Sequence, residues 1–260
     1  MEEQKNTAEI SRVLVTGAAG FIGSHTCDAL LQKGKTVAGI DNLSTGSLDN
    51  LADAQEQDAF SFHQADICET GEIAKLFTDF QPDAVIHLAA LVSVPIAEKN
   101  PDENYRANVL GTKIVAEAAS ACATRRIVFA SSAAVYGNSD HLPLSEEEPT
   151  NPINQYGKAK LEAESLLLPY EKSHEMIPTC LRFFNVYGPR QDPASPYSGV
   201  ISIFSRACIK GEPVTVFGDG YQTRDFVFVK DIAHAVVASA TNPILPGGIY
   251  NLCSGTGITL

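Results

Sequence analysis

A doubly wound α/β fold, a parallel sheet with helices on both faces followed by a smaller C-terminal lobe, is what this sequence predicts, and three observations predict it. Short apolar runs rich in β-branched residues alternate with helical stretches from residue 11 to about 184, as strands buried on both faces and joined by crossover helices do. The first run, Val13-Leu14-Val15-Thr16, breaks at Gly17, and glycines recur at positions 20 and 23 while the apolar residues take up a helical rhythm. From Asn185 the alternation gives way to turn formers, Asn185-Val186-Tyr187-Gly188-Pro189-Arg190-Gln191-Asp192-Pro193, a change of composition that marks a second lobe. The expected division is 1–184, with 225–240 returning to it, and 185–260.

Gly17 lets the chain turn sharply, Gly20 leaves no side chain between the backbone and an approaching pyrophosphate, and Gly23 lets a helix over 21–33 pack closely on the strand. Free N–H groups at the helix start face an anion. This is the turn of a Rossmann-like dinucleotide site, and Gly34 is the expected helix stop. The second run, Thr36-Val37-Ala38-Gly39-Ile40, ends at Asp41, near the expected offset of about 20 residues. A carboxylate there accepts from both adenosine ribose hydroxyls and repels a 2′-phosphate, so NAD is expected rather than NADP. Asn42-Leu43-Ser44-Thr45-Gly46 follows as a polar loop placed to wrap adenosine.

Phe60-Ser61-Phe62-His63-Gln64-Ala65 alternates like a third strand and ends at Asp66-Ile67. Asp66 reads either as an acceptor for the adenine amino group, with Ile67 along the ring, or as the cap of a helix over 72–80. Ala84-Val85-Ile86-His87-Leu88-Ala89-Ala90 is a fully buried fourth strand running into small residues that leave room for a cofactor. His87, without a partner at ligand spacing, reads as a core histidine. Asn108, in a helical run over 102–123, either fixes the backbone of a neighbouring strand or is solvated. Arg126-Ile127-Val128-Phe129-Ala130-Ser131-Ser132 delivers two hydroxyls to the C-terminal edge, where open parallel sheets bind ligands. After an acidic, proline-punctuated loop over 141–152 come a helix carrying Tyr156-Gly157-Lys158-Ala159-Lys160 and a sixth strand over 178–184. The second lobe is expected to hold a helix over 201–210, a short strand over 214–217, a strand over 226–229 and a helix from 231 to about 239.

The 260 residues, 44% hydrophobic and 19% charged, suffice for one large core. A net charge of -12 argues against nucleic acid or an anionic membrane as partner, so any phosphorylated ligand depends on local donors. Cys27, Cys68, Cys122, Cys180, Cys208 and Cys253 are scattered without a CxxC pair, which suits reduced, mostly buried thiols in a cytoplasmic protein and implies no metal site. Residues 1–10 lack the basic and apolar regions of a signal peptide, and no apolar run is long enough to span a bilayer.

Tyr156 and Lys160 are four residues apart and share one helix face. Bringing a tyrosine pKa of about 10 down by about 3 requires about 4 kcal/mol. A neighbouring ammonium and a positively charged nicotinamide can supply that in a site that excludes water, which makes the phenol a usable base.

Thr16-Gly17-Ala18-Ala19-Gly20-Phe21-Ile22-Gly23-Ser24-His25, Asp41-Asn42-Leu43-Ser44-Thr45-Gly46, His87-Leu88-Ala89-Ala90, Ser131-Ser132-Ala133-Ala134-Val135-Tyr136-Gly137 and Tyr156-Gly157-Lys158-Ala159-Lys160 together resemble the extended short-chain dehydrogenase/reductases of the NAD-dependent epimerase/dehydratase family. The likeness is greatest to nucleotide-sugar 4-epimerases of the UDP-glucose and UDP-N-acetylglucosamine type, and runs from about residue 12 to the last.

The resemblance implies transient oxidation at sugar carbon 4, rotation of the 4-keto intermediate and return of hydride to its other face. Tyr156 would exchange the proton of the 4-hydroxyl, Lys160 would hold the nicotinamide ribose and tune Tyr156, and Ser132, chosen over Ser131, would bind and shuttle the proton. Phe21, Ile22, Asp66, Ile67, Leu88, Ala89, Ala90, Asn108 and Phe184 fall on positions that line NAD. Asn185 and Arg224 match positions that hold the diphosphate and sugar, although Arg224 by itself also reads as an ion-pair partner of Asp225 or Asp219. Val200, Thr215 and Phe217 belong to segments that resemble those enclosing uridine. Related dehydratases and decarboxylases resemble each other in carrying an acidic residue just after the catalytic hydroxyl; Ala133 and Ala134 supply none, which favours epimerisation.

A UDP-sugar substrate and a homodimer formed by the helices containing Asn108 and Tyr156 follow from the same resemblance. The alternatives are a UDP-N-acetylhexosamine or UDP-hexuronate 4-epimerase and a non-catalytic NAD-sensing protein on the same fold. Relatives continue beyond the position of Leu260 with a further phosphate-binding arginine and the residue that gates an N-acetyl group, so the lobe over 185–260 is expected to be truncated.

Overall fold

Strands that are apolar along their whole length need cover on both faces, and the sheet of this protein receives it. The structure is a computed structural model that describes residues 9–139, 141–192, 199–216 and 218–259. Its strands are β1 (Arg12–Thr16), β2 (Thr36–Asp41), β3 (Phe60–Gln64), β4 (Ala84–His87), β5 (Arg126–Ser132), β6 (Ile177–Phe183), β7 (Asn185–Tyr187), β8 (Thr223–Phe228), β9 (Gly248–Leu252) and β10 (Gly257–Thr259). Seven of them form a parallel sheet in the order β3-β2-β1-β4-β5-β6-β9.

Alternate residues of each strand serve the two faces. Val13, Val15, Ile86, Val128 and Leu181 face a core shared with the helices Phe21–Gln32 and Val229–Thr241. Leu14, Val85, Ile127 and Phe129 face the opposite core, closed by Ile73 and Phe77 of Thr70–Phe80, Val115 of Gly111–Ala121, and Ala163 and Leu167 of Gln155–Leu167. From β1 the sheet winds outward through β2 and β3 on one side and through β4, β5 and β6 on the other. The gap between the ends of β1 and β4 is therefore the crevice where such sheets take ligands.

Three elements differ from expectation. Residues 248–252, expected in the second lobe, form β9 and extend the large sheet beside β6, with Ile249 against one core and Tyr250 and Leu252 against the other. The strand expected over 214–217 does not form among the described residues: Val214 and Val216 are both exposed, so their alternation has no covered face, and Phe217 lies outside the described residues. The helical run around Asn108 is Pro101–Tyr105 and Gly111–Ala121 joined through a π-helical turn, Arg106–Leu110. The second lobe keeps a small sheet, β7 parallel to β8 and β10 antiparallel to it. No helix is long and apolar enough to cross a membrane among the described residues. The cysteines form no disulfide; Cys27 and Cys180 are buried but Cys208 and Cys253 are exposed, fewer buried thiols than expected.

Candidate active site

The turn after β1 is built by backbone contacts that leave no room for side chains. Gly17 has φ +71°, and a Cβ there would lie 2.7 Å from the Ala89 nitrogen; one on Gly23 would lie 2.0 Å from the Gly17 carbonyl oxygen. Gly17 and Ala18 both donate to the Ile40 carbonyl, tying the turn to β2. At Gly20 a Cβ would meet nothing nearer than the Gly17 oxygen at 3.2 Å, so this face is open, and no side chain caps the helix Phe21–Gln32. Its first N–H groups are free for an anion. Phe21 and Ile22 are half-buried at that helix start.

Asp41 is 8% exposed, with Oδ2 accepting from Ala19 N (3.0 Å) and Oδ1 from Leu43 N (2.8 Å). Burial pushes its pKa up against the pull of those two N–H groups. Asn42 turns the loop by accepting from Ser44 N, Ser44 and Thr45 are exposed, and beyond Gly46 the Ser47 amide returns to the Ala19 carbonyl. These residues surround a donor-lined, acid-edged cradle with the chemistry of an adenosine diphosphate site.

Asp66 caps no helix; it accepts from Cys68 N and from Arg106 Nη2 at 3.1 Å, a partner the sequence reading missed. Ile67 is buried against Gly111, whose absent Cβ would come within 2.6 Å of Ile67 Cδ1. The side chain of Asn108 is fully engaged with main chain and a neighbour. Its Oδ1 accepts from Leu91 N and its Nδ2 donates to Leu91 O, each at 2.9 Å, and to Asn104 Oδ1. Of the two readings left open for it, backbone fixing is the one observed.

His87 completes the same framework as a buried core histidine. Thr112 Oγ1 donates to Asn108 O, so it accepts from His87 Nε2 (3.0 Å), which leaves Nδ1 to accept from Thr16 Oγ1 (2.7 Å); Thr16 Oγ1 in turn accepts from Ala89 N. Leu88, Ala89 and Ala90, all half-buried, are thereby pinned against Gly17. Burial pushes the imidazole down to about 3.

Tyr156, Lys160 and Ser132 meet at the end of β5. Asn154 caps the helix Gln155–Leu167 by accepting from Gly157 N at 2.7 Å. Gly157 rests on the 3₁₀ turn Ala133–Val135, where a Cβ would lie 2.6 Å from the Ala134 oxygen. Lys160 is 2% exposed, donates to Ala130 O at 2.8 Å and lies over the Phe129 ring at 4.7 Å and the Tyr156 ring at 5.8 Å. The choice between the two serines has a physical cause: Ser131 is buried with its hydroxyl given to Glu164, while Ser132 is half-buried, its Oγ accepting from Ala134 N and facing the Tyr156 phenol.

The expected acidification of Tyr156 is absent from the polypeptide alone. Loss of water pushes the phenol up to about 12 against the Ser132 hydrogen bond, and burial pushes Lys160 down to about 7 against the charge of Glu164. The sequence reading omitted Glu164 and Arg182 altogether, although Glu164 sits at the next helical repeat after Lys160.

Across the crevice, Asn185, Val200 and Arg224 line one cavity of about 170 Å³ with Tyr187, Ile201 and Phe226. Arg224 makes no ion pair with Asp225 or Asp219 among the described residues; Asp225 is occupied by Ser254 N and Gly255 N. Among the described residues the Arg224 guanidinium donates to its neighbour's carbonyl, Thr223 O, and is exposed. Thr215 is exposed and does not line this cavity, and Phe217 is outside the described residues. Phe184 is half-buried, its amide bonded to Leu252 O. No group of three metal-ligating side chains occurs among the described residues.

Residues 13–253 match the NAD dependent epimerase/dehydratase family. The chain is 42% identical over 248 residues to a UDP-glucose 4-epimerase of Mycolicibacterium smegmatis, covering 95% of this chain and 78% of that protein. Among solved structures it is similar to the Thermus thermophilus UDP-glucose 4-epimerase in complex with NAD (37% identity, TM-score 0.85, 95% of this chain and 79% of that one). It is also similar to a UDP-N-acetylglucosamine 4-epimerase of Methanobrevibacter ruminantium in complex with UDP-N-acetylmuramic acid (36% identity, TM-score 0.90, 97% and 79%).

Proposed function

The chain belongs to the NAD dependent epimerase/dehydratase family, and from that premise we propose how its residues perform NAD-dependent 4-epimerisation of a nucleotide sugar of the UDP-glucose/UDP-galactose type. Tyr156 exchanges the proton of the sugar 4-hydroxyl, Ser132 hydrogen-bonds that hydroxyl and relays the proton, and Lys160 holds the nicotinamide ribose and stabilises the phenolate. The open face at Gly20, the free N–H groups of the helix Phe21–Gln32 and the Asp41 carboxylate fit a dinucleotide, with the diphosphate on the N–H groups and the adenosine ribose at Asp41. NAD, when bound, supplies a reversible two-electron acceptor for sugar carbon 4 and a positive ring charge beside Tyr156.

The remaining roles follow from position. Arg224 and Asn185 hold the UDP diphosphate and sugar from the second lobe, the guanidinium fork suiting a phosphate. Val200, which lines the same cavity as Asn185 and Arg224, borders the uridine. Asp66, Ile67 and Phe184 border the cofactor, and Asn108 acts on it through Leu91. Ala133 and Ala134 place no acid next to Ser132, which removes the second acid–base pair an elimination would require. The unit 1–184 with 225–240 serves NAD and 185–260 serves the nucleotide sugar. The protein works in the cytoplasm as a homodimer.

One observation carries the reading: the Tyr156–Lys160 pair stands on the turn after Ser132, on the same sheet edge as the glycine turn. Proton NMR of UDP-glucose incubated with NAD and the protein tests it, with UDP-galactose as the expected product. Tyr156→Phe is expected to lose at least about 100-fold in kcat while still binding NAD. A stable 4-keto-6-deoxy product, or no interconversion, would overturn the assignment. The likeness to the Methanobrevibacter ruminantium protein favours N-acetylated UDP-sugars as a second substrate class, which the same assay reads directly.

A further inference from the structure

The face of Gln155–Leu167 that carries Tyr156 and Lys160 carries a third group at the next helical repeat, Glu164. Its side chain is 1% exposed and that of Arg182, its partner on β6, 3%. Both carboxylate oxygens are used: Oε1 accepts from the Ser131 hydroxyl and from Arg182 Nε at 3.0 Å, and Oε2 accepts from Arg182 Nη2 at 2.8 Å. One turn earlier Lys160 donates to Ala130 O. Lys160 and Glu164 thus grip consecutive residues of β5, 130 and 131, directly before Ser132.

A buried ion pair is a weak source of stability, because apolar residues of the same shape do as well or better. Placed here, it has another use. We propose that Glu164 is a positioning residue for the Tyr156–Lys160 pair: bonded to Ser131 and Arg182, it sets the register of the helix on β5 and puts an anionic charge opposite the Lys160 ammonium. The inference rests on the catalytic reading above.

The groups packed around Lys160 agree with this role. On its own helix stand Tyr156 and Glu164, on β4 His87, on β5 the Phe129 ring, and behind Glu164 lie Arg182, Cys180 and Tyr136. His87 is held neutral and the Cys180 thiol is pushed up, so neither bears charge at neutral pH. Arg182 is paired with the carboxylate. Glu164 is the one anion of the group.

The test compares the wild-type holoenzyme with Glu164→Gln and with the double variant Glu164→Gln/Arg182→Met, which removes both buried charges and keeps the fold measurable if the single variant is unstable. Titration of the Lys160 Nζ signal by ¹⁵N NMR needs no turnover; it is expected to move down by about one pH unit in Glu164→Gln and by less in the double variant, which also loses the Arg182 cation. Activity that requires the ammonium is lost as pH rises through that titration, so the alkaline limb of kcat for UDP-glucose moves down with it. At pH 8 kcat is expected to fall about tenfold, while KM changes by less than about twofold. Variants that melt earlier but leave the Lys160 titration and the kcat profile in place would overturn the inference and reduce the pair to a structural one. A wild-type protein that does not interconvert UDP-glucose and UDP-galactose overturns the catalytic reading instead, and the Lys160 titration still decides the inference.

Discussion

Asp41 and His87 show how single residues here are governed by the water they lose. At Asp41 burial outweighs two main-chain donors and raises the carboxyl pKa, so the group gains from any further donor, such as the ribose hydroxyls of NAD. Asp41→Asn removes the charge at the site, and fluorescence titration is expected to show NADH binding weakened about 10- to 100-fold with preference over NADPH narrowed. At His87 the folded pKa lies near 3, below the ordinary 6.5. The unfolded chain therefore binds the extra proton first: the contribution is fully present above pH 6.5 and is lost as pH falls from there toward 3, at up to about 1.4 kcal/mol per pH unit. Urea midpoints measured between pH 7 and 5 are expected to fall more steeply in the wild type than in His87→Gln. Asp41 was readable from its place at a strand end. Glu164 was not, because a carboxylate on a helix reads as solvated until the strand bearing Arg182 is packed over it.

Among the elements, the first strand–turn–helix unit depends on the closeness of Gly23 to the Gly17 carbonyl. A methyl at position 23 would meet backbone that cannot rotate away. Gly23→Ala is expected to destabilise by about 1–3 kcal/mol, read as a lower denaturant midpoint, and to weaken NAD binding because the turn shifts. The π-helical turn Arg106–Leu110 is the element that sequence periodicity could not show. It is held by tertiary bonds: Asn108 to Leu91, Arg106 to Asp66, and the Cys68 thiol to the Arg106 carbonyl. The absence of a strand among the described residues 214–216 makes the converse point, since alternating valines become a strand only where a partner and a covered face exist.

For the whole molecule, the reversal of strand order between β1 and β4 brings the glycine turn, Asp41, the Leu88–Ala90 segment, Ser132 and the Tyr156–Lys160 pair to one edge of one sheet. Tyr105 and Leu110 on the helical run of Asn108, and Ile153 just before the Tyr156 helix, remain 43%, 41% and 62% exposed. That apolar surface supports the proposed homodimer. Light scattering after gel filtration is expected to give twice the chain mass, and Leu110→Glu with Ile153→Glu to give the monomer; a monomeric wild type would reject the assembly.

The sequence by itself determined the parallel α/β class, the dinucleotide turn, the acid at Asp41 and the Tyr156–Lys160 pair, because each is a local pattern whose spacing has one cheap backbone solution. Tertiary structure alone decided that β9 extends the large sheet, that Ser131 turns inward while Ser132 stays at the crevice, that Asn108 serves a neighbouring loop, and that Glu164 faces Arg182. Those outcomes depend on which groups lose water together, and that follows from packing between segments far apart in the chain.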